Sequence, residues 1–112
     1  MISLINYFIM KKRINKIKVP QFPKKEITRK RFTFEGRVKK VGFRNEILLI
    51  SRHLGVSGFV YNTKFGVIAE IEGKSDQLAF IIEHLESIDR FIINNISSEK
   101  IALKKEKKFY KK

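Results

Sequence analysis

The residues with the clearest potential for chemistry lie in one short run, residues 34–44. Two glycines, Gly36 and Gly42, flank a stretch with basic side chains, and an apolar periodic segment follows. Glycines let the backbone turn sharply with its N–H groups exposed, and a helix that begins here adds unsatisfied donors and a partial positive charge. The run therefore predicts a turn that binds a phosphate group. Its glycine spacing matches neither the dinucleotide-binding fingerprint nor the Walker A pattern.

A family resemblance makes this prediction more specific. The run Gly-Arg-Val-x-x-Val-Gly-Phe-Arg at residues 36–44, with Gly-Phe-Val-Tyr-Asn at residues 58–62, resembles the signature of the acylphosphatase family. The resemblance extends from about Lys30 to Tyr110, and the two motifs stand in the family's order. It implies hydrolysis of a small acyl phosphate to a carboxylate and inorganic phosphate, without a metal or any other cofactor.

The resemblance also implies roles for individual residues. Arg44, in the first turn of the predicted helix, would clamp two phosphate oxygens with its planar guanidinium. Asn62, at the end of a predicted strand, would hold the attacking water without the repulsion that a carboxylate would exert on an anionic substrate. The phosphate itself would be bound by the residues of the turn: Arg37, Val38, Lys39, Lys40, Val41, Gly42 and Phe43.

Two lysines depart from the family pattern, which has Gln and Gly where this chain has Lys39 and Lys40. If the second position requires a positive φ, Lys40 costs roughly 1 kcal/mol of strain or changes the shape of the turn, and either effect would weaken activity. The two added charges, by contrast, favour an anionic ligand. The sequence therefore leaves an alternative open: a relative with weakened turnover that binds phosphate-containing ligands or nucleic acid.

Hydrophobic periodicity predicts the elements that must position these residues. Their order predicts an α+β fold of the ferredoxin-like split βαβ type, an antiparallel sheet with two helices on one face, plus an N-terminal extension. In chain order the predictions are a strand at 29–36, a helix at 43–54 that Gly55 ends, strands at 56–62 and 67–72, a helix capped by Ser75 or Asp76, a strand at 91–96 and an extended piece at 100–110.

The net charge of +14 is unevenly distributed along the 112 residues. Lys and Arg outnumber Asp and Glu by eight to one in residues 1–29, by ten to eight in residues 30–97 and by seven to two in residues 98–112. Because the excess lies in the two ends, it favours weak nucleic-acid or anionic-membrane contact through the tails over nucleic-acid binding by the fold. We predict a basic extension and linker at 1–28 and an acylphosphatase-like domain at 29–112 with a Lys-rich end.

Residues 1–10 are apolar, with Ile2, Ile5 and Ile9 at helical spacing, and the basic run 11–13 follows them. The stretch is about half of the roughly 20 residues that cross a bilayer. Its basic residues follow the apolar run, whereas those of a secretory signal precede it. Two interpretations stay open: a short helix or arm that packs on the domain, or an anchor on an anionic membrane surface. With no cysteine and no signal, the chain is expected to be cytoplasmic. We also expect a monomer.

The remaining polar residues predict no second site. His53 and His84 lie on different predicted helices without the spacing of a metal-binding pair, and we interpret both as surface or packing residues. Four carboxylates are expected on solvated faces: Glu70, Glu72, Glu83 and Glu86.

Overall fold

The computed structural model of the chain describes residues 4–39 and 41–112. From the first strand onward the elements alternate as strand, helix, strand, strand, helix, strand, which confirms the ferredoxin-like prediction, and a short fifth strand ends the chain. The elements are α1 (Leu4–Asn15), β1 (Ile27–Arg37), α2 (Phe43–Leu54), β2 (Ser57–Asn62), β3 (Gly66–Lys74), α3 (Ser75–Glu86), β4 (Ile92–Ile101) and β5 (Phe109–Lys111).

The five strands form one sheet in the order β4-β1-β3-β2-β5. The first four pair antiparallel, as predicted. The predicted extended piece at 100–110 instead supplies the end of β4 and most of β5, and β5 pairs parallel with β2. The sheet is therefore mixed, because β5 adds one parallel strand beside the four strands whose antiparallel pairing was predicted.

Strand β1 lies inside the sheet, between β4 and β3, and its side chains alternate between the two faces. Phe32 and Phe34 point into the core, where Phe34 contacts Phe43 of α2 with ring centroids 5.0 Å apart. The strand does not end at Gly36 but continues to Arg37, because Gly36 adopts φ 134° and lies against β4. A Cβ at that position would lie 2.2 Å from the carbonyl oxygen of Ile92, so only glycine allows this close approach.

The two predicted helices occur where expected. Helix α2 spans the predicted residues 43–54, and Gly55 ends it with φ 74°. Helix α3 begins at Ser75, but its N-cap is Lys74 rather than Ser75 or Asp76, and the N–H of Lys74 donates to the side chain of Gln77 at 2.9 Å. The strand that precedes α3 runs directly into the helix, which leaves no separate capping residue between them.

The basic extension contains a third helix, α1, that packs on α2. Met10 and Ile14 are buried in the core, and Tyr7 and Ile17 pack against it. This buried side differs from the Ile2, Ile5 and Ile9 spacing noted in the sequence, since Ile5 and Ile9 are exposed and Ile2 lies outside the described residues. None of the described helices is long and apolar enough to cross a membrane.

Two carboxylates expected on a solvated face, Glu70 and Glu72, are buried instead. Both accept hydrogen bonds from the fully buried Arg29, at 3.0 and 3.2 Å, and Glu72 also accepts the backbone N–H groups of Lys104 and Lys105. The connection from β4 to β5 therefore crosses the side of the sheet that faces away from the helices. The alternation of side chains along a strand cannot show that a distant connection covers one face of the sheet. For this reason the expectation that Glu70 and Glu72 are solvated was wrong. Glu83 and Glu86 are exposed, as expected.

Candidate phosphate-binding site

The turn between β1 and α2 is anchored in the hydrophobic core by two buried side chains, Val38 and Phe43. Gly42 stands at the N-cap of α2 with φ 84° and ψ 14°, a left-handed conformation that favours glycine. The first helical hydrogen bond runs from the N–H of Glu46 to the carbonyl of Gly42 at 2.9 Å. The N–H groups just before it, of Phe43, Arg44 and Asn45, precede the helical ladder and can bind an anion.

The end of β2 lies on the same side of the sheet as this turn. We refer to this side, where the carboxyl ends of β1 and β2 lie, as the sheet edge of the site. Strands β1 and β2 both run antiparallel to β3, so their carboxyl ends, at Arg37 and Asn62, point the same way. The side chain of Lys39 joins the two directly, since its Nζ donates to the carbonyl oxygen of Thr63 at 2.7 Å. Asn62 is exposed. The structure thus brings the predicted turn and the residue after Asn62 into contact.

Strand β5 adds a basic residue to this edge. Lys111 Nζ donates to Asn45 Oδ1, in the first turn of α2, at 2.8 Å. Burial and the nearby positive charge of Arg44 lower the pKa of Lys111 below its ordinary value. Lys111 is not among the residues predicted from the sequence, because nothing in a Lys-rich end distinguishes the lysine that reaches the site.

Arg44 is half-buried and makes no ion pair with any carboxylate in the part of the chain that the structure describes. A guanidinium that is partly desolvated, close to a second cation and without an acidic partner is electrostatically unfavourable unless an anion binds there. The arrangement of Arg44 beside Lys111, at a helix N-terminus, therefore favours a negatively charged ligand.

Behind the turn lies a buried carboxylate, Glu46, which the sequence analysis also missed. It accepts hydrogen bonds from Arg13 of α1 and His84 of α3, both at 2.6 Å, and from Arg90 at 3.4 Å. Burial alone would raise its pKa, but the hydrogen bonds from His84 and Arg13 and the charge of Arg13 hold the pKa below its ordinary value. The signal was present, since Glu46 follows Phe43 by three residues and so lies on the buried stripe of α2.

Arg90 connects this carboxylate to the turn, because its Nε donates to the carbonyl oxygen of Val41 at 3.1 Å. This hydrogen bond satisfies the Val41 carbonyl from outside the turn and ties the turn to the segment that follows α3.

The other predicted residues are distributed as follows. Val41 and Gly42 are half-buried, Arg37 and Lys39 are exposed, and Lys40 lies outside the described residues. His53 bonds through Nε2 to the carbonyl of Ile17 at 3.0 Å, away from the turn. The described residues contain no cluster of three or more His, Cys, Asp or Glu that could hold a metal ion.

Comparisons with known proteins point to one family. The family model named acylphosphatase matches residues 30–111. An acylphosphatase from Synechococcus sp. (strain CC9311) is 47% identical over 49 residues, which are 44% of this chain and 53% of the relative, so the match spans about half of that relative's length. The structure of an acylphosphatase from Coxiella burnetii is similar with a TM-score of 0.72 at 24% identity, over 82% of this chain and 100% of that one. Full-length HypF, in a phosphate- and nucleotide-bound form, is similar with a TM-score of 0.72 at 26% identity, over 84% of this chain and 12% of that one.

Proposed function

Because the chain belongs to the acylphosphatase family, we propose that it hydrolyses acyl phosphates to a carboxylate and inorganic phosphate without a metal ion. The observation that carries this proposal is Arg44 at the N-terminus of α2, which pairs with no carboxylate among the described residues and lies at the sheet edge where β2 ends with Asn62. Phosphoryl transfer depends mainly on positioning and on stabilising charge, which are the two things that such an edge can supply.

The substrate's phosphate binds in the turn from Arg37 to Phe43. Backbone N–H groups at the start of α2 donate to its oxygens, and Arg44 adds a two-pronged, charge-assisted contact. Lys111 contributes a further positive charge. These donors are fixed before the substrate arrives, so little reorganisation is needed as negative charge develops on the phosphoryl oxygens.

The chemical step is attack by water on phosphorus. Asn62 holds the water opposite the bond to the acyl oxygen, the phosphorus–oxygen bond breaks, and its electron pair leaves with the carboxylate. One proton of the water passes to a phosphate oxygen. The amide of Asn62 is no strong base, but a carboxylate is a good leaving group and needs none.

The two lysines that replace Gln and Gly modify this proposal. Lys39 is bonded to the carbonyl of Thr63, so it braces the turn against the end of β2. If its position requires a positive φ, Lys40 weakens turnover. The alternative function is a module that binds phosphate-containing ligands or nucleic acid with little hydrolysis. The excess of basic groups at this edge, Arg37, Arg44 and Lys111, supports it.

Hydrolysis of benzoyl phosphate in the presence of a chelator distinguishes the two functions. We expect turnover by the parent chain, and a loss of kcat/KM of about 10²–10³-fold in Arg44→Ala and in Asn62→Ala, because each removes a group that acts on the transition state. Asn95→Ala, exposed on β4, is the matched control and should retain the parent's rate. An inactive parent, or variants as active as their control, would rule out the enzyme.

A further inference from the structure

Helix α1 exposes an unusually apolar outer side. Its inner side is fixed by Met10 and Ile14, which are buried against the core, so the helix cannot rotate to hide the opposite side. Leu4, Ile5, Phe8 and Ile9 are each between 58% and 72% exposed. They are four of the nine large apolar side chains that are exposed in the part of the chain that the structure describes. An apolar group of this kind, gathered within two helical turns, marks a surface that contacts something other than water.

The same side of the helix becomes basic toward its carboxyl end. Lys12 follows Phe8 by one helical turn, and Lys16 follows Lys12 in the turn that ends α1. Both side chains are exposed, and the first acidic residue of the chain is Glu26. We refer to Ile5, Phe8, Ile9, Lys12 and Lys16 as the α1 outer stripe, apolar in its first half and cationic in its second.

A groove beside the stripe carries basic groups among the residues that the structure describes. This groove, of about 340 Å³ between α1 and α2, is lined by two basic side chains, Lys11 and Arg52, with no carboxylate among its lining residues. A partner that approaches the stripe therefore meets positive charge on its flank as well.

We propose that the α1 outer stripe docks on the surface of an anionic lipid bilayer. Helix α1 would lie in the plane of the interface, with its apolar half among the upper acyl chains and its lysines on the headgroups. Such a surface satisfies both halves of the stripe. A nucleic acid would pair with the lysines and leave the apolar half in water, and a second copy of the chain would set its lysines against either lysines or apolar side chains.

The folded domain makes such docking easier than it is for an isolated peptide. A free segment of this length is marginal as a helix in water and must fold as it binds. Here the contacts of Met10 and Ile14 with the core hold α1 helical before it meets a membrane. The bound helix would also bring the domain with it, so the proposal concerns where the protein acts and does not depend on whether it hydrolyses acyl phosphates.

Sedimentation of the full chain with vesicles tests the proposal. We expect binding to vesicles of phosphatidylcholine with 30% phosphatidylglycerol, by the surface-charge argument, and little binding to phosphatidylcholine alone. The double variant Ile5→Ser with Phe8→Ser should bind at least about tenfold more weakly, since apolar contact adds to the electrostatic attraction. Phe65→Ser is the matched control, because Phe65 is the most exposed of the large apolar side chains described and lies in the β2–β3 turn. It should bind as the parent does.

A second pair of variants separates the stripe from the total charge. Lys12→Glu with Lys16→Glu should lose binding, whereas Lys107→Glu with Lys108→Glu, the same change of charge in the exposed β4–β5 connection, should keep most of it. All altered side chains are exposed, so a melting curve close to the parent's checks that each variant is folded.

Three results would overturn the proposal. The first is no binding of the parent to anionic vesicles, or a loss of vesicle binding that is as large in a control variant as in the stripe variant that it matches. The second is self-association that Ile5→Ser with Phe8→Ser abolishes, which would assign the stripe to a second copy. The third is binding to a short oligonucleotide that the same double variant removes, without any binding to vesicles.

Discussion

At the scale of single residues, Arg44 and its surroundings set the charge of the candidate site. Its guanidinium is half-buried with Lys111 near it and pairs with no carboxylate among the described residues, so the site presents positive charge to an anion. The affinity of the site for an anion should therefore depend on the charges around it. Two substitutions test this dependence: one adds a negative charge and the other removes a positive charge.

The first substitution is Asn62→Asp. Two like charges about 4 Å apart repel by roughly 4 kcal/mol at an effective dielectric constant of 20, so inorganic phosphate should bind at least tenfold more weakly at pH 7. Affinity should recover as the pH falls through about 4, where the introduced carboxyl becomes protonated. Calorimetric titration of the variant and of Asn62→Ser, which adds no charge, provides the comparison. Equal affinities for phosphate at pH 7 would place Asn62 away from the anion.

The second substitution is Lys111→Met. It removes a positive charge close to Arg44, and we expect phosphate to bind about threefold to tenfold more weakly, with a smaller dependence on salt. Lys112→Met is the control, because the Nζ of Lys112 lies over the ring of Phe59, 4.2 Å from its centroid, rather than at the first turn of α2. A larger loss in the control would contradict the assignment of Lys111 to the site.

The sequence predicts the turn and Asn62 as site residues because both belong to short motifs whose residues are near each other in the chain, and their roles stay predictions. It did not locate Lys111, which reaches Asn45 from 66 residues away. Glu46 was identifiable in principle, because an acid on an otherwise apolar helical stripe must find partners. Which partners, Arg13, His84 and Arg90, depends on three other elements and could not be read from the local pattern.

At the scale of elements, α1 is the part of the molecule that the sequence described least well. Its contacts with the core come from Met10 and Ile14, on the side opposite the isoleucines that first suggested a helix. The predicted helix at 43–54 matched its bounds because a strong apolar stripe is followed by Gly55. Strand β4 extends to Ile101, beyond the predicted 96, because pairing with β1 as far as Arg29 sustains it where its own alternation does not.

A substitution in α1 measures how much that helix contributes to the fold. Ile14→Ala should lower the free energy of unfolding by about 2–4 kcal/mol, since it leaves a cavity beside the core. Ile9→Ala, on the exposed side of the same helix, should change it by no more than about 0.5 kcal/mol. Urea unfolding of the two variants measures the difference. Equal effects would mean that α1 does not pack on the core in solution.

At the scale of the whole molecule, buried carboxylates make stability depend on acid. Burial alone would raise the pKa values of Glu46, Glu70 and Glu72, but hydrogen bonds hold each pKa below the ordinary value of 4.5. The donors are His84 and Arg13 for Glu46, and Arg29 for Glu70. For Glu72 they are the backbone of Lys104 and the side chain of Arg29. Because the folded pKa values are lower, the unfolded chain takes up protons first as the pH falls. The stabilisation is therefore complete above the unfolded pKa and is lost as the pH falls through the folded values.

We expect the free energy of unfolding to be nearly constant from pH 7 to about pH 5 and to decrease below that. Glu46→Gln should lower the free energy of unfolding at pH 7 by about 1–3 kcal/mol. The decrease of this free energy in acid should also become shallower, because one fewer carboxylate takes up a proton on unfolding. Glu83→Gln, an exposed residue, should leave both unchanged. Denaturant unfolding across this pH range tests the prediction, and a parent whose stability rises toward pH 3 would contradict it.

The measurement that most directly tests the central claim is a ¹H–¹⁵N spectrum of the full chain titrated with inorganic phosphate. If the turn between β1 and α2 is the anion site, the largest shifts will fall on the N–H groups of residues 37–45, and Arg44→Ala will abolish them while leaving the rest of the spectrum unchanged. Shifts concentrated instead at the groove formed by Lys11 and Arg52, or spread over the Lys-rich ends, would contradict the site and with it the proposed hydrolysis.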